Sequence, residues 1–225
     1  MVPEGDLHTR RSVELVVALR HWLATRPDGD SAWVCHSINV YYREGDPRSV
    51  ACPDVAVAFG VNVAAVAGAG SYKVWEAGAA PVFVLEIASP STVRIDEVDK
   101  PRTYAAMGVA EYWRVDPQDG ELFTPPLRGA RRVTDRWEAI TVAADNDGVL
   151  RGTSDVLGLE LCWQPPKLRL YDPAAGAWLR DPDDLLTAAT RADREAIARQ
   201  AAQAEAAELR RRLEQYESPT GGPER

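Results

Sequence analysis

PVFVLEIASPSTVRIDEVDK, residues 81–100, is the stretch whose reading decides the fold. Val82, Phe83, Val84, Leu85 and Ile87 are apolar on both parities, the pattern of a strand covered on both faces. Glu86 is the single charge among them. An ionised carboxylate in such a strand is costly unless something pairs with it, so Glu86 must have a partner. Ser89-Pro90-Ser91-Thr92 ends the strand. Val93 to Met107 then predicts a helix closed by Gly108, whose missing Cβ suits a left-handed C-cap. Pro101 removes the backbone donor to residue 97. The helix therefore kinks there, or its regular part begins there with Pro101 in the first turn.

Working outward, Thr9 to Thr25 has the apolar spacing of an amphipathic helix capped by Thr9, with Glu14 inside it. Pro27-Asp28-Gly29-Asp30 breaks the chain. AWVCHSINVYY (32–42) and VACPDVAVAF (50–59) read as strands of a hairpin joined by the turn-rich REGDPRS. NVAAVAGAGSYKVWEAGAA (62–80) has no clear period and reads as a loop or a poor helix. On the other side, AEYWRVD (110–116) is a strand, PQDGELFTPP (117–126) a turn, and Trp137 to Trp178 a series of short strands. This order of elements predicts an α/β domain built on a sheet.

The composition changes after residue 180. LLTAATRADREAIARQAAQAEAAELRRRLEQY (185–216) has neither Gly nor Pro and is a helix by propensity. Ala202, Ala206, Leu209, Leu213 and Tyr216 recur at four-three spacing over about two heptads. A homodimeric coiled coil and a single helix packed on the domain both fit so short a seam. The expected organisation is a domain over 1–180, a charged Ala-rich helix over 181–217 and a disordered end over 218–225.

At 225 residues, 45% hydrophobic and 27% charged, the chain can bury a full core, which excludes wholesale disorder. A net charge of −8 weighs against broad electrostatic capture of nucleic acid, so any such contact needs a local basic patch or a bound cation. No segment is apolar enough to span a membrane, and MVPEGDLHTRR lacks an apolar signal core, so a cytoplasmic protein is expected. Cys35, Cys52 and Cys162 form no CxxC pair and read as buried thiols. His8, His21 and His36 match no metal-ligand spacing and read as structural or surface residues.

Asp54 repeats the problem of Glu86: it follows Pro53 and opens an otherwise uncharged strand. Two lone carboxylates on adjacent apolar strands offset each other's cost if a divalent cation lies between them. Mg²⁺, which takes hard oxygen ligands and is usually held by one or two carboxylates, suits that place. Lys100, fourteen residues after Glu86, lies on the helix that folds back over the strand. The plainer reading of Lys100 is a surface ion pair with Asp96, four residues earlier.

Pro53-Asp54, then E-I-A-S-P-S-T at 86–92, D-x-x-x-K at 96–100, Tyr104 and G-V-A-E-Y-W-R-V-D-P at 108–117 resemble the Uma-type restriction endonuclease family, within the PD-(D/E)xK nuclease superfamily. The resemblance runs from the first helix to about Leu179. It implies a restriction-endonuclease-like mixed central β-sheet flanked by helices, and hydrolysis of nucleic acid, DNA before RNA, with Mg²⁺ or Mn²⁺. Asp54 and Glu86 would hold the metal, joined by the backbone carbonyl of Ile87, and Lys100 would be the catalytic amine. The lysine of the superfamily pattern stands two residues after the glutamate, where this chain has Ala88. Lys100 then resembles a lysine that has migrated to the neighbouring helix. Asp96 would position it, while Tyr104 reads as packing, Ser89 as a helix cap and Glu14 as a surface carboxylate.

Two rival readings come from other classes. One is a non-catalytic nuclease-fold binding module that dimerises through its C-terminal helix. The other is a structural α/β protein whose lone carboxylates pair with Arg94 or Arg114. Arg128, Arg131, Arg132 and Arg136 are the densest basic run, read as a phosphate-contacting patch or a solvated loop.

Overall fold

A computed structural model describes residues 4–217. Helix α1 (Glu4–Leu23) precedes strands β1 (Trp33–Cys35), β2 (Asn39–Tyr41), β3 (Val50–Ala51) and β4 (Val55–Ala58). One-turn helices α2 (Val63–Val66) and α3 (Val74–Ala77) flank β5 (Ser71–Lys73), and β6 (Phe83–Ile87) follows. Then come α4 (Val93–Val98), α5 (Lys100–Met107), β7 (Glu111–Val115), β8 (Leu127–Val133) and β9 (Arg136–Ile140). The late strands are β10 (Ala143–Ala144), β11 (Leu150–Ser154), β12 (Leu159–Gln164), β13 (Lys167–Asp172) and β14 (Ala177–Trp178).

The central sheet is six-stranded and mixed, in the order β1-β4-β6-β7-β8-β9. Only β6 and β7 in it run parallel. A parallel pair needs a crossover, and α4 and α5 supply it. The two helices break at Asp99, and Pro101 sits in the first turn of α5, where its missing N–H costs nothing. Gly108 closes α5 with φ of 96°, the left-handed cap expected from its lack of Cβ. A five-stranded antiparallel meander, β10 to β14, and a small sheet ordered β3-β2-β5 complete the α/β domain.

Several expectations are corrected. α1 starts five residues before Thr9, which is inside the helix and accepts a bond from Ser12 Oγ rather than capping it. The 32–59 hairpin exists but is split: β1 pairs with β4 in the central sheet and β2 with β3 in the small one. The segment read as loop or poor helix holds β5, which pairs parallel with β2. Cys52 is exposed, whereas Cys35 and Cys162 are buried. The basic run is strand, so alternation separates its members. Arg132 reaches the carbonyl of Ala105 on α5, while Arg131 turns to Glu111 and Asp155 on the opposite face.

The sheet separates two cores because successive side chains alternate faces. Val55, Val57, Phe83, Leu85, Ile87, Trp113, Val115 and Leu127 pack with α1 and the meander. Ala56, Ala58, Val84 and Tyr112 pack with Tyr104 and Met107 of α5. Trp113 joins central sheet and meander. Its buried indole donates to Glu111 and lies against Gly129 of β8 and Gly152 of β11. A Cβ on Gly129 would fall 2.7 Å from the ring, and one on Gly152 would fall 2.8 Å from it.

Residues 182–225 form a separate unit, in which α6 (Pro182–Glu217) is one continuous helix. Leu186 and Ile197 are exposed on it, as are Ala202 and Ala206 of the seam. The side chains of Leu209, Leu213 and Tyr216 and the whole of 218–225 lie outside the described residues. No helix among the described residues is long and apolar enough to cross a membrane.

The ring contacts make Gly129→Ala and Gly152→Ala overpacking changes. Each is expected to lower stability by about 1–3 kcal/mol, read as a reduced denaturation midpoint with an unchanged slope. Gly148→Ala, in an open turn at φ of 79°, serves as a control for backbone strain without a clash.

Candidate active site

The pairing of β4 with β6 matches Val55 to Leu85 and Ala56 to Val84. One further step of this antiparallel register sets Asp54 opposite Glu86, on the face that carries Ala56 and Val84. The two carboxyl groups lie close enough to shift one another's ionisation. Glu86 continues across the sheet to Arg114 on β7, and Arg114 to Arg128 on β8.

Glu86 is fully buried, 0% exposed. Tyr104, one turn into α5, donates its hydroxyl to Glu86 Oε1. Lys100 Nζ lies 2.9 Å from Glu86 Oε2 and 2.7 Å from Asp96 Oδ1. Asp96 is itself 2% exposed, so the Asp96–Lys100 pair is a buried arrangement rather than a surface ion pair. Three bonds pin the crossover helices over the sheet: Tyr112 Oη to the Asp96 carbonyl, Trp137 Nε1 to the Pro101 carbonyl and Arg132 to the Ala105 carbonyl. That anchoring brings the Lys100 amine to the carboxylates.

On the other side, Asp54 Oδ2 accepts the backbone N–H of Ile87 at 2.8 Å and lies 3.0 Å from His8 Nε2. The same His8 nitrogen is 2.9 Å from the Ile87 carbonyl. His8, expected to be structural or surface, is therefore part of the site. No sequence spacing exposes this role, because α1 delivers His8 from 79 residues before Ile87 in the chain.

The remaining expected residues sit further out. Ser89 does not cap α4. Its hydroxyl meets those of Ser91 and Thr92 in the preceding turn, and Thr92 holds the N-cap position. Glu14 pairs with Arg10 and Arg11 on α1 and lines a small cavity with Ile87, away from Asp54. Tyr104 does pack, with its ring 5.1 Å from that of Tyr112, but it also touches Glu86 directly. Arg114 turns to Glu97 at 4.0 Å, not to the carboxylates, and Arg94 is exposed.

Electrostatics follow from this crowding. Burial, then the charge of Asp54, drive the Glu86 carboxyl well above its usual range. Burial opposes ionisation of Asp54 too, but bonds from His8, Glu86 and the Ile87 N–H outweigh it and hold its carboxyl low. The bond to Asp54 raises His8. Burial disfavours the Lys100 ammonium, yet Glu86 and Asp96 more than compensate and raise it. Burial and the neighbouring Glu86 push the Tyr104 phenol well up. No group of three or more His, Cys, Asp or Glu side chains among the described residues is placed to cage a metal. The oxygen donors that do meet here are two carboxylates and one backbone carbonyl, a set of hard ligands.

Residues 1–161 match the model of the family described as Uma2, "Putative restriction endonuclease". The chain belongs to this family. The Uma2 match covers α1 and the whole central sheet, hence every residue of the site. No curated protein matches. Among solved structures, this Uma2 chain is similar to a "putative nuclease belonging to DUF820" from Anabaena variabilis ATCC 29413. The two are 15% identical over 62% of this chain and 72% of that one, with a TM-score of 0.38.

The pH dependence of stability has a definite sign. Glu86 and His8 are both raised on folding, so each contributes stability that is present at low pH and lost as pH rises through its folded value. The loss starts above the ordinary 4.5 for Glu86 and above 6.5 for His8. In EDTA, the melting temperature is expected to fall between mildly acidic and neutral pH. Glu86→Gln should flatten that fall. A wild-type curve that rises over the same interval would contradict the site electrostatics.

Proposed function

We propose that the chain is a metal-dependent endonuclease that hydrolyses nucleic-acid phosphodiester bonds, with DNA as its substrate. The observation that carries this reading is the register that sets Asp54 against Glu86 on one sheet face, with the Lys100 amine 2.9 Å away. The residues present fit a hard divalent ion, Mg²⁺ or Mn²⁺. The buried Glu86 carboxyl and the partly exposed Asp54 carboxyl beside it invite positive charge, and the Ile87 carbonyl adds a neutral oxygen donor. Asp54, Glu86 and Ile87 would hold the ion. Bound there, it would acidify an attacking water and polarise the phosphate.

The chain's own groups account for the rest. Asp96 holds the Lys100 ammonium by Glu86, where it can orient a water or offset charge on the phosphate oxygens. Tyr104 fixes the rotamer of Glu86 from the opposite oxygen. Ala88, which stands where the superfamily pattern has its lysine, is 3% exposed and packed in the strand end. Lys100 supplies the missing amine from α5, because the break at Asp99 lets α5 start afresh over β6.

Purified protein is expected to cut DNA with Mg²⁺ or Mn²⁺ and not in EDTA. Glu86→Ala and Lys100→Ala should each slow cutting by at least about 10²-fold, the scale of losing one charge-stabilising group. The same assay on RNA tests the substrate. Cutting that Glu86→Ala leaves undiminished would overturn the assignment.

A further inference from the structure

His8 Nε2 touches the two oxygens on one side of the proposed ion site, Asp54 Oδ2 at 3.0 Å and the Ile87 carbonyl at 2.9 Å. In an octahedral shell with bonds of about 2.1 Å, neighbouring donors stand about 3.0 Å apart. The three atoms thus have the separations, from His8 to each oxygen, of adjacent corners of one coordination sphere. We propose that His8 is a further protein ligand of this site, and that its imidazole tilts the site towards Mn²⁺ over Mg²⁺. The inference rests on the reading of Asp54 and Glu86 as ion ligands.

The chemistry of the donors gives the preference its direction. Carboxylate and carbonyl oxygens serve Mg²⁺ and Mn²⁺ alike, whereas imidazole suits transition ions and adds little for Mg²⁺. Without an ion, one Nε2–H divides its bond between two oxygens, a strained way to satisfy three polar atoms. With the hydrogen on Nδ1, the same nitrogen has a lone pair to offer an ion. His8 is anchored by a long helix whose buried face, Leu15, Val16, Leu19 and Leu23, packs on the central sheet. Its position is therefore set by the fold rather than by a loop. As they stand, His8, Asp54 and Glu86 are not gathered into a cage of three side chains; the part already in place is the corner that His8 shares with Asp54 and the Ile87 carbonyl. His21 and His36 lie elsewhere and make no bond to Asp54, Glu86 or Ile87.

The test uses the full chain, stripped with EDTA and loaded with Mn²⁺ alone. Pulsed EPR of the wild type is expected to show a directly bound imidazole nitrogen, identified by substitution with ¹⁵N-histidine. The signal should vanish in His8→Ala and persist in His21→Ala. Calorimetry should show Mn²⁺ binding weakened in His8→Ala and His8→Gln by at least the roughly 10–100-fold that loss of even an outer partner costs, with Mg²⁺ affected much less. Mn²⁺ bound without an imidazole nitrogen would overturn the proposal while leaving Asp54 and Glu86 as ligands. Tighter Mn²⁺ binding in His8→Ala would also overturn it, by showing that the ring blocks the site. If the wild type binds no Mn²⁺, the ion site and the proposal fall together.

Discussion

Two acids side by side on neighbouring strands, Glu86 buried and Asp54 partly exposed, are the constraint around which the domain is arranged. Asp54 and Glu86 meet because the β4–β6 register continues one residue beyond the ladder, and because Pro53, which has no backbone donor, starts the strand there. Every other contact of the site answers that pair. Lys100, Tyr104 and Asp96 approach Glu86 from the crossover helices, while His8 and the Ile87 amide approach Asp54 from α1 and the strand end. The site therefore lies where one helix from each side of the sheet reaches its edge of the same strand pair.

The scaffold makes that meeting rigid. α4 and α5 are short, six and eight residues, and too weakly amphipathic to hold themselves in place. Side chains on β7, β8 and β9 hold them instead, through carbonyl bonds from Tyr112, Arg132 and Trp137. On the opposite face, Trp113 locks the meander to the sheet, with Gly129 and Gly152 making room for its ring. The face of the candidate site and the face of the Trp113 core share one sheet, so a shift in either core would be felt in the distance from Lys100 to Glu86.

Much of this is legible in residues 81–100. An apolar run on both parities is a strand with two covered faces, and its single Glu announces a partner from the sequence alone. Gly108 and Pro101 mark the helix end and the break because their backbone limits are local. Legibility fails where the decisive force is long-range. Thr9 has the composition of a cap, but the helix gains another turn upstream. β5 has an ordinary, nearly patternless sequence and is a strand only because β2 lies beside it. Arg128 to Arg136 read as one patch, yet strand alternation gives its members to different faces. His8 is invisible for the same reason: nothing in HTRR marks a residue whose partners are Asp54 and the end of β6.

Comparison of the buried acids separates structure from function within this one chain. Glu111 and Asp116 are also 0% exposed, but the fold satisfies them outright. Glu111 receives the Trp113 indole and the Asp155 amide, and Asp116 receives the amides of Gln118, Gly120, Leu122 and Phe123. Each organises a turn or a sheet junction and asks for nothing further. Glu86 is treated otherwise, since its closest acidic neighbour raises the cost of its charge and the one ammonium beside it is shared with Asp96. A fold able to pack two buried acids without residual demand has, at the third, set two carboxyls against each other. Such a placement weakens the scaffold, and strongly perturbed acids of this kind gather where chemistry is done. Folding alone gives no reason to bring Asp54 and Glu86 together.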